Sequence, residues 1–122
     1  MLVGSPDMHP GQVASGSHGG RGEYFVRTLL DQPPGSVFKY VRDVTLSPGA
    51  SVGEHPHSDD DEVFFIIAGN GLMLVDGEER PVGPGTAVLT RAGSRHGLRN
   101  PGPAPLRFFV ACAAATPNSA QA

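Results

Sequence analysis

Residues 53–65 read GEHPHSDDDEVFF: two histidines one residue apart, an acidic run, then an apolar run. On an extended chain successive side chains alternate between faces, so His55 and His57 point the same way. That spacing suits two ligands on one metal. Two readings of the stretch stand side by side. One is a solvated acidic loop that carries histidines by chance. The other is a turn that brings a carboxylate back beside them. Glu62 opens the run EVFFIIA (62–68), whose β-branched and aromatic residues predict a strand. His96 lies further along, in the Gly-bounded segment RAGSRHGLRN (91–100). Three imidazoles and a carboxylate suit Fe, Mn, Co, Ni, Cu or Zn, and not Ca or Mg, which want oxygen ligands.

Outward from this stretch the chain is a series of short runs. EYFVRTLL (23–30), VFKYVRDVTL (37–46), EVFFIIA (62–68), LMLVDG (72–77), TAVLT (86–90) and LRFFVACA (106–113) are separated by Gly- and Pro-rich breaks. Asp76-Gly77 is a hairpin signal. No stretch sustains a helical period. The pattern predicts an all-β sandwich, jelly roll or small barrel of about eight or more short strands. Residues 1–20 show no periodicity and are expected to be mobile, or to order on another surface. His9 and His18 fall there and are expected to be solvent-exposed. Residues 21–114 form the expected barrel, and 115–122 an expected frayed tail.

The chain has 122 residues, a length that fits one domain. One cysteine, Cys112, excludes an intrachain disulfide and is compatible with a reducing compartment. No apolar run is long enough for a transmembrane helix, and the N-terminus lacks the marks of a secretory signal. The expectation is a cytoplasmic protein without membrane contact. Net charge is −3, and the nine basic residues are dispersed, which argues against a nucleic-acid partner.

The spacing around the histidines resembles the two motifs of the cupins. The first reads Gly49, ASVGE, His55, Pro56, His57, SDDD, Glu62, VFFIIA, Gly69. The second reads Gly85, TAVLT, Arg91, Ala92, Gly93, SR, His96, GLR, Asn100. One fixed position departs, Arg91 standing where the family usually has proline. The resemblance implies a double-stranded β-helix barrel with one divalent transition metal inside, held by His55, His57, Glu62 and His96. Asp59, Asp60 and Asp61 then read as the solvated loop between two strands, one of them able to orient a ligand histidine.

Alternation suggests the pocket's other walls. If Glu62 points inward, so do Phe64 and Ile66, while Val63, Phe65 and Ile67 face out. Phe38, Tyr40, Val44 and Leu46 share one face, and Arg42 lies on it too. Leu106, Phe108, Val110 and Cys112 share another inward face, where Cys112 reads as a small core residue. Tyr40, Arg42, Phe64 and Phe108 are therefore the expected substrate-binding residues, Arg42 through an anionic oxygen. Asn100 is expected to stabilise a turn. The presence of Glu62 argues against a three-histidine thiol dioxygenase site, and His57 in place of a carboxylate argues against the facial triad of 2-oxoglutarate oxygenases. Four ligands on an octahedral metal leave two positions for a substrate with adjacent oxygens. The resulting expectation is a dioxygenase on a chelating small molecule, with Glu62 as base. A Lewis-acid isomerase, cyclase or decarboxylase, and a non-enzymatic binding module, are the alternatives. The outward apolar row on 63–67 points to a homodimer.

Overall fold

A computed structural model describes residues 1–57 and 59–120. Its strands are β1 (Gln12–Ser15), β2 (Glu23–Asp31), β3 (Phe38–Leu46), β4 (Ser51–Pro56), β5 (Asp60–Ala68), β6 (Gly71–Val75), β7 (Glu78–Val82), β8 (Ala87–Thr90), β9 (Arg95–Arg99) and β10 (Leu106–Ala114). A 3₁₀ turn, Ser17–Gly19, joins the first two. The strands form a six-stranded sheet, β1-β2-β3-β10-β5-β8, and a four-stranded sheet, β4-β9-β6-β7, all pairs antiparallel. This is the two-sheet antiparallel barrel that the resemblance implies. Among the described residues no helix is long and apolar enough to cross a membrane.

Alternation along the long strands builds the core. On β5, Glu62, Phe64 and Ile66 are buried while Val63 and Phe65 are exposed. On β10, Leu106, Phe108, Val110 and Cys112 are buried while Arg107 and Phe109 are exposed. Met73, Val82 and Leu98 close the core from the smaller sheet. Val63, Phe65, Leu89 and Phe109 form an exposed apolar row on the outer face of the larger sheet, with Phe65 directly opposite Phe109 and Val63 opposite Leu89. On β3, Tyr40, Arg42, Val44 and Leu46 face inward as alternation requires, but Phe38, at the strand's start, is exposed. Asp43 faces outward yet is buried, because Arg107 forks onto it (3.0 and 2.9 Å) and Arg27 lies 3.6 Å away.

The ends of the chain differ from expectation. From Gln12 the N-terminal segment lies against the barrel, β1 pairing with the otherwise free edge of β2. Arg27 Nε anchors it by donating to the His9 carbonyl at 2.7 Å. The tail is tied down as well: the Asn118 side chain donates to the carbonyls of Pro33 (3.0 Å) and Phe38 (2.7 Å). Gln121 and Ala122 lie outside the described residues.

Turn chemistry matches the sequence. Asp76 and Gly77 both have positive φ (47° and 81°), as the two-residue turn between β6 and β7 requires. Gly69 combines φ 85° with a close approach, since a Cβ there would sit 2.2 Å from the Pro105 carbonyl oxygen. Arg91 is exposed, and its carbonyl accepts from Ser94 N at 3.0 Å, so the turn before His96 forms without proline.

Asn100 is fully buried and joins three strand ends. Its Nδ2 donates to the carbonyls of Leu46 (3.0 Å) and Ala104 (2.9 Å), and its Oδ1 accepts from Gly102 N (2.9 Å). Asn100→Ala strands these buried groups, each worth about 1–3 kcal/mol. Urea unfolding should show a loss of at least about 2 kcal/mol with an unchanged m-value.

Candidate metal centre

Strand register assembles the site. One cross-strand row of the larger sheet runs Tyr40, Cys112, Glu62, Thr90, each directly opposite the next on β3, β10, β5 and β8. The next row runs Arg42, Val110, Phe64, Val88. Across the barrel His55 on β4 is opposite His96 on β9. His57 follows the end of β4. The polar row and the histidine pair thus face each other through the barrel interior.

The outer nitrogens of the three histidines decide their chemistry. His55 Nδ1 lies 2.8 Å from the Gly53 carbonyl, which can only accept. His57 Nδ1 meets the Asp60 carboxylate. His96 Nδ1 is 2.7 Å from the Thr90 hydroxyl, which can accept as well. With a proton on each Nδ1, all three Nε2 atoms carry lone pairs. Those atoms converge: His96 Nε2 is 3.1 Å from His57 Nε2, 3.2 Å from His55 Nε2 and 3.0 Å from Glu62 Oε1. His57 Nε2 is 3.2 Å from the same oxygen.

Lone pairs facing one another at this distance repel unless they share a cation. Bonds of about 2.1 Å put neighbouring donors of an octahedral metal about 3.0 Å apart. His55, His57, Glu62 and His96, whose donor atoms all lie within 4.8 Å of one another, therefore fit a divalent transition metal in both chemistry and spacing.

The carboxylates around the centre hold their charge. Burial pushes the Glu62 carboxyl up, but in the metal-free protein, where the His96 Nε2 can carry a proton, bonds from His96 and Tyr40 outweigh it and leave the group below the usual range. Asp60 is likewise lowered, its burial overcome by His57 and by Lys39, whose Nζ is 2.9 Å away. Burial lowers His55 against the raising effect of its Gly53 bond, and burial lowers His18. The Tyr40 hydroxyl bonds Glu62 Oε2, and burial together with that carboxylate pushes its pKa far up, so it stays protonated. Burial also pushes the Cys112 thiol up to about 12, as suits a small core residue rather than a nucleophile.

A cavity of about 300 Å³ opens onto this centre. Tyr40, Arg42, Phe64 and Phe108 all line it, beside His55 and Glu62. The Arg42 guanidinium stacks on Tyr40, its Cζ 3.7 Å from the ring centroid.

Two residues depart from the sequence reading. Asp60 is not part of a solvated loop, because β5 starts at Asp60, paired with Ala114, and alternation places it on the inward side with Glu62 and Phe64. Asp61 keeps an outer role, accepting from Ala92 N at 2.9 Å, and Asp59 is exposed. Ser58, the first residue of the expected loop, lies outside the described residues. The second departure is in the setting of His18, which is exposed as expected yet sits against the centre. Its ring stacks on His55, with centroids 3.6 Å apart and planes 9° from parallel, and it lines the cavity. The sequence signal was the surrounding glycines in GSHGG (16–20), which suit a tight turn.

The family model for the cupin domain matches residues 42–112, and the chain belongs to the cupin family. The oxalate-binding protein of Thermotoga maritima is 30% identical over 111 residues, 90% of this chain and 91% of that one. A solved Thermotoga maritima structure, described as a predicted oxalate decarboxylase, superposes with TM-score 0.84 at 26% identity, covering 93% of this chain and 99% of that chain. The tetracenomycin polyketide synthase protein TcmJ of Streptomyces glaucescens is 32% identical over 79 residues, 65% of this chain and 53% of its own.

The three aspartates should separate by metal affinity. Asp60→Asn should weaken binding about 10–100-fold in chelator competition, the usual effect of removing a ligand's hydrogen-bond partner. Asp59→Asn should leave it nearly unchanged. A pH dependence follows as well. His18 and His55 lie below the ordinary imidazole value of 6.5, and Glu62 and Asp60 below the ordinary carboxyl values of 4.5 and 3.8. In each case the unfolded chain takes up the proton at higher pH than the folded one, so stability falls as pH drops. The urea midpoint of metal-free protein should decline first below about pH 6.5 and more steeply below about pH 4.5.

Proposed function

We propose that the protein is a metal-dependent enzyme for a small carboxylate that chelates through two adjacent oxygens, oxalate being the simplest. Arg42 carries this reading. Its Nε is buried without a hydrogen-bond partner among the described residues, and the side chain lines the same cavity as His55 and Glu62. A buried, charged N–H without an acceptor is unfavourable, and a ligand carboxylate supplies the acceptor. The charge balance agrees. A divalent cation, the Glu62 carboxylate and the Arg42 guanidinium leave two positive charges, which a dianion neutralises. The cavity of about 300 Å³ is larger than oxalate needs, so the site specifies a chelating fragment rather than one molecule. The oxalate-related descriptions of the Thermotoga maritima relative and of the solved Thermotoga maritima structure support the same class.

A divalent metal at the four ligands supplies a Lewis acid and, where redox-active, electrons. The chain's own residues do the rest. Arg42 orients the anionic end of the ligand. Val44, Val52, Phe64, Phe108 and Val110 line the cavity and limit water. Glu62 turns Oε1 toward His57 and His96 and Oε2 toward the Tyr40 hydroxyl. Tyr40 thereby fixes which carboxylate oxygen faces the metal site. Dioxygenation, the reaction expected from the sequence, and oxygen-independent decarboxylation use the same chelation and differ in whether oxygen is consumed. Binding without turnover is a second reading, favoured by the name of the oxalate-binding relative. The exposed row of Val63, Phe65, Leu89 and Phe109 supports a homodimer in which each copy covers the other's row.

Calorimetry on metal-loaded protein should show metal-dependent oxalate binding. Arg42→Gln should weaken it at least about tenfold, as for loss of a hydrogen bond to a charged group, at unchanged metal affinity. Oxygen uptake with both atoms of labelled dioxygen incorporated into the product of a larger chelating acid assigns a dioxygenase, whereas oxygen uptake with oxalate that yields carbon dioxide and hydrogen peroxide assigns an oxidase. Carbon dioxide release without oxygen uptake assigns a decarboxylase, and tight binding with neither assigns a carrier. Absence of binding by any chelating carboxylate sinks the proposal.

A further inference from the structure

The N-terminal turn presents a histidine to the centre from outside the barrel. His18 adopts a left-handed backbone (φ 48°, ψ 42°), a conformation uncommon outside glycine that Asn, Asp and His take more often than other residues. Non-glycine residues persist there when their surroundings hold them in place. Here the holding is close. Gly53 has no Cβ, and one built there would sit 2.1 Å from the His18 carbonyl oxygen; a Cβ on Gly20 would sit 2.1 Å from the Ser51 carbonyl oxygen. The turn therefore lies directly on β4, where the register shifts between Val52 and His55. Gly53 acts twice, since its carbonyl also accepts from His55 Nδ1 at 2.8 Å.

What the turn delivers is an imidazole ring flat on His55, beside Ser17 and Gln12 in the cavity wall. One ring face is occupied by His55. The polar atoms of His18 lie on its edge, and no hydrogen bond among the described residues uses them; the residue is exposed at the cavity wall. A neutral imidazole always carries one N–H. Stacking alone needs no nitrogen, and a phenyl ring would serve it. We propose that His18 is a ligand-contacting residue: clamped against His55, it donates its ring N–H to the anion that the metal and Arg42 hold. This rests on the anionic-ligand reading above and adds a wall supplied from outside residues 42–112, the span the family model matches.

The test uses the full chain loaded with cobalt(II), with oxalate and azide as probes, both followed by the visible cobalt spectrum. Azide occupies open metal positions without needing a dicarboxylate site. His18→Phe keeps the stack and removes the donor. It should weaken both anions at least about fivefold while cobalt affinity stays within about twofold. His18→Asn, which suits the left-handed backbone and retains an N–H, should keep more anion affinity than His18→Phe. Wild-type protein that binds azide but not oxalate sinks the dicarboxylate reading. The azide comparison then decides His18 alone. Unchanged affinity for the anions in folded His18→Phe overturns the proposal. So does a parallel loss of cobalt affinity, which would make His18 only a prop for His55, and so does greater weakening in His18→Asn. Wild-type protein that binds neither anion overturns both readings.

Discussion

Everything at the centre depends on the register of β5 between β8 and β10. A slip of one residue on either side would turn every side chain of the strand to the opposite face. Glu62 would leave the barrel together with Phe64 and Ile66, and Val63 and Phe65 would enter. The register is held by the core itself: Phe64 stacks on Phe108 with centroids 4.9 Å apart, and Ile66 is fully buried. The same alternation that drives apolar burial therefore aims the carboxylate, and the metal ligand needs no separate positioning device on this strand.

The polar interior works by giving each ligand atom a partner behind it. Gly53, Asp60 and Thr90 each engage an Nδ1, and Tyr40 engages the second oxygen of Glu62. These four partners come from a backbone carbonyl, two strand positions that alternate inward and the last residue of β8. Lys39 completes the arrangement from the rim by neutralising Asp60. Buried polar groups are stabilising only when satisfied. Among the described residues the interior lacks such satisfaction at the Arg42 Nε and where three Nε2 lone pairs and one carboxylate oxygen converge, and the second of these is where a cation fits.

Much of this was legible in the sequence. The spacing of glycines and histidines marked the four residues whose donor atoms converge, and alternation along 62–66 and 106–112 divided wall from surface. The aspartates were harder, because Asp59, Asp60 and Asp61 are chemically identical and only the start of β5 distinguishes them. That start is set by pairing with Ala114, fifty-odd residues away in the chain and at the far end of β10. Counting back by two from Glu62 would have reached Asp60. Alternation puts Asp43 on the face opposite Tyr40 and Val44, but its burial depends on Arg27 and Arg107, which come from neighbouring strands. His18 escaped because residues 1–20 have no periodicity; its placement follows from backbone-to-backbone packing of glycines, which leaves little trace in side-chain pattern.

That packing gives the protein a division of labour along its length. Residues 42–112 contain all four ligands and Arg42, while Gln12, Ser17 and His18 line the cavity from a separate short segment. The segment is attached by edge pairing of β1 to β2, by contacts at Gly20 and Gly53, and by the stack of His18 on His55. Two stretches separate in sequence thus meet at one stacked pair of rings. Exchanging residues 12–20 between related barrels offers a way to graft new selectivity onto the centre, provided that the acceptor keeps the glycine at 53 and the ring at 55.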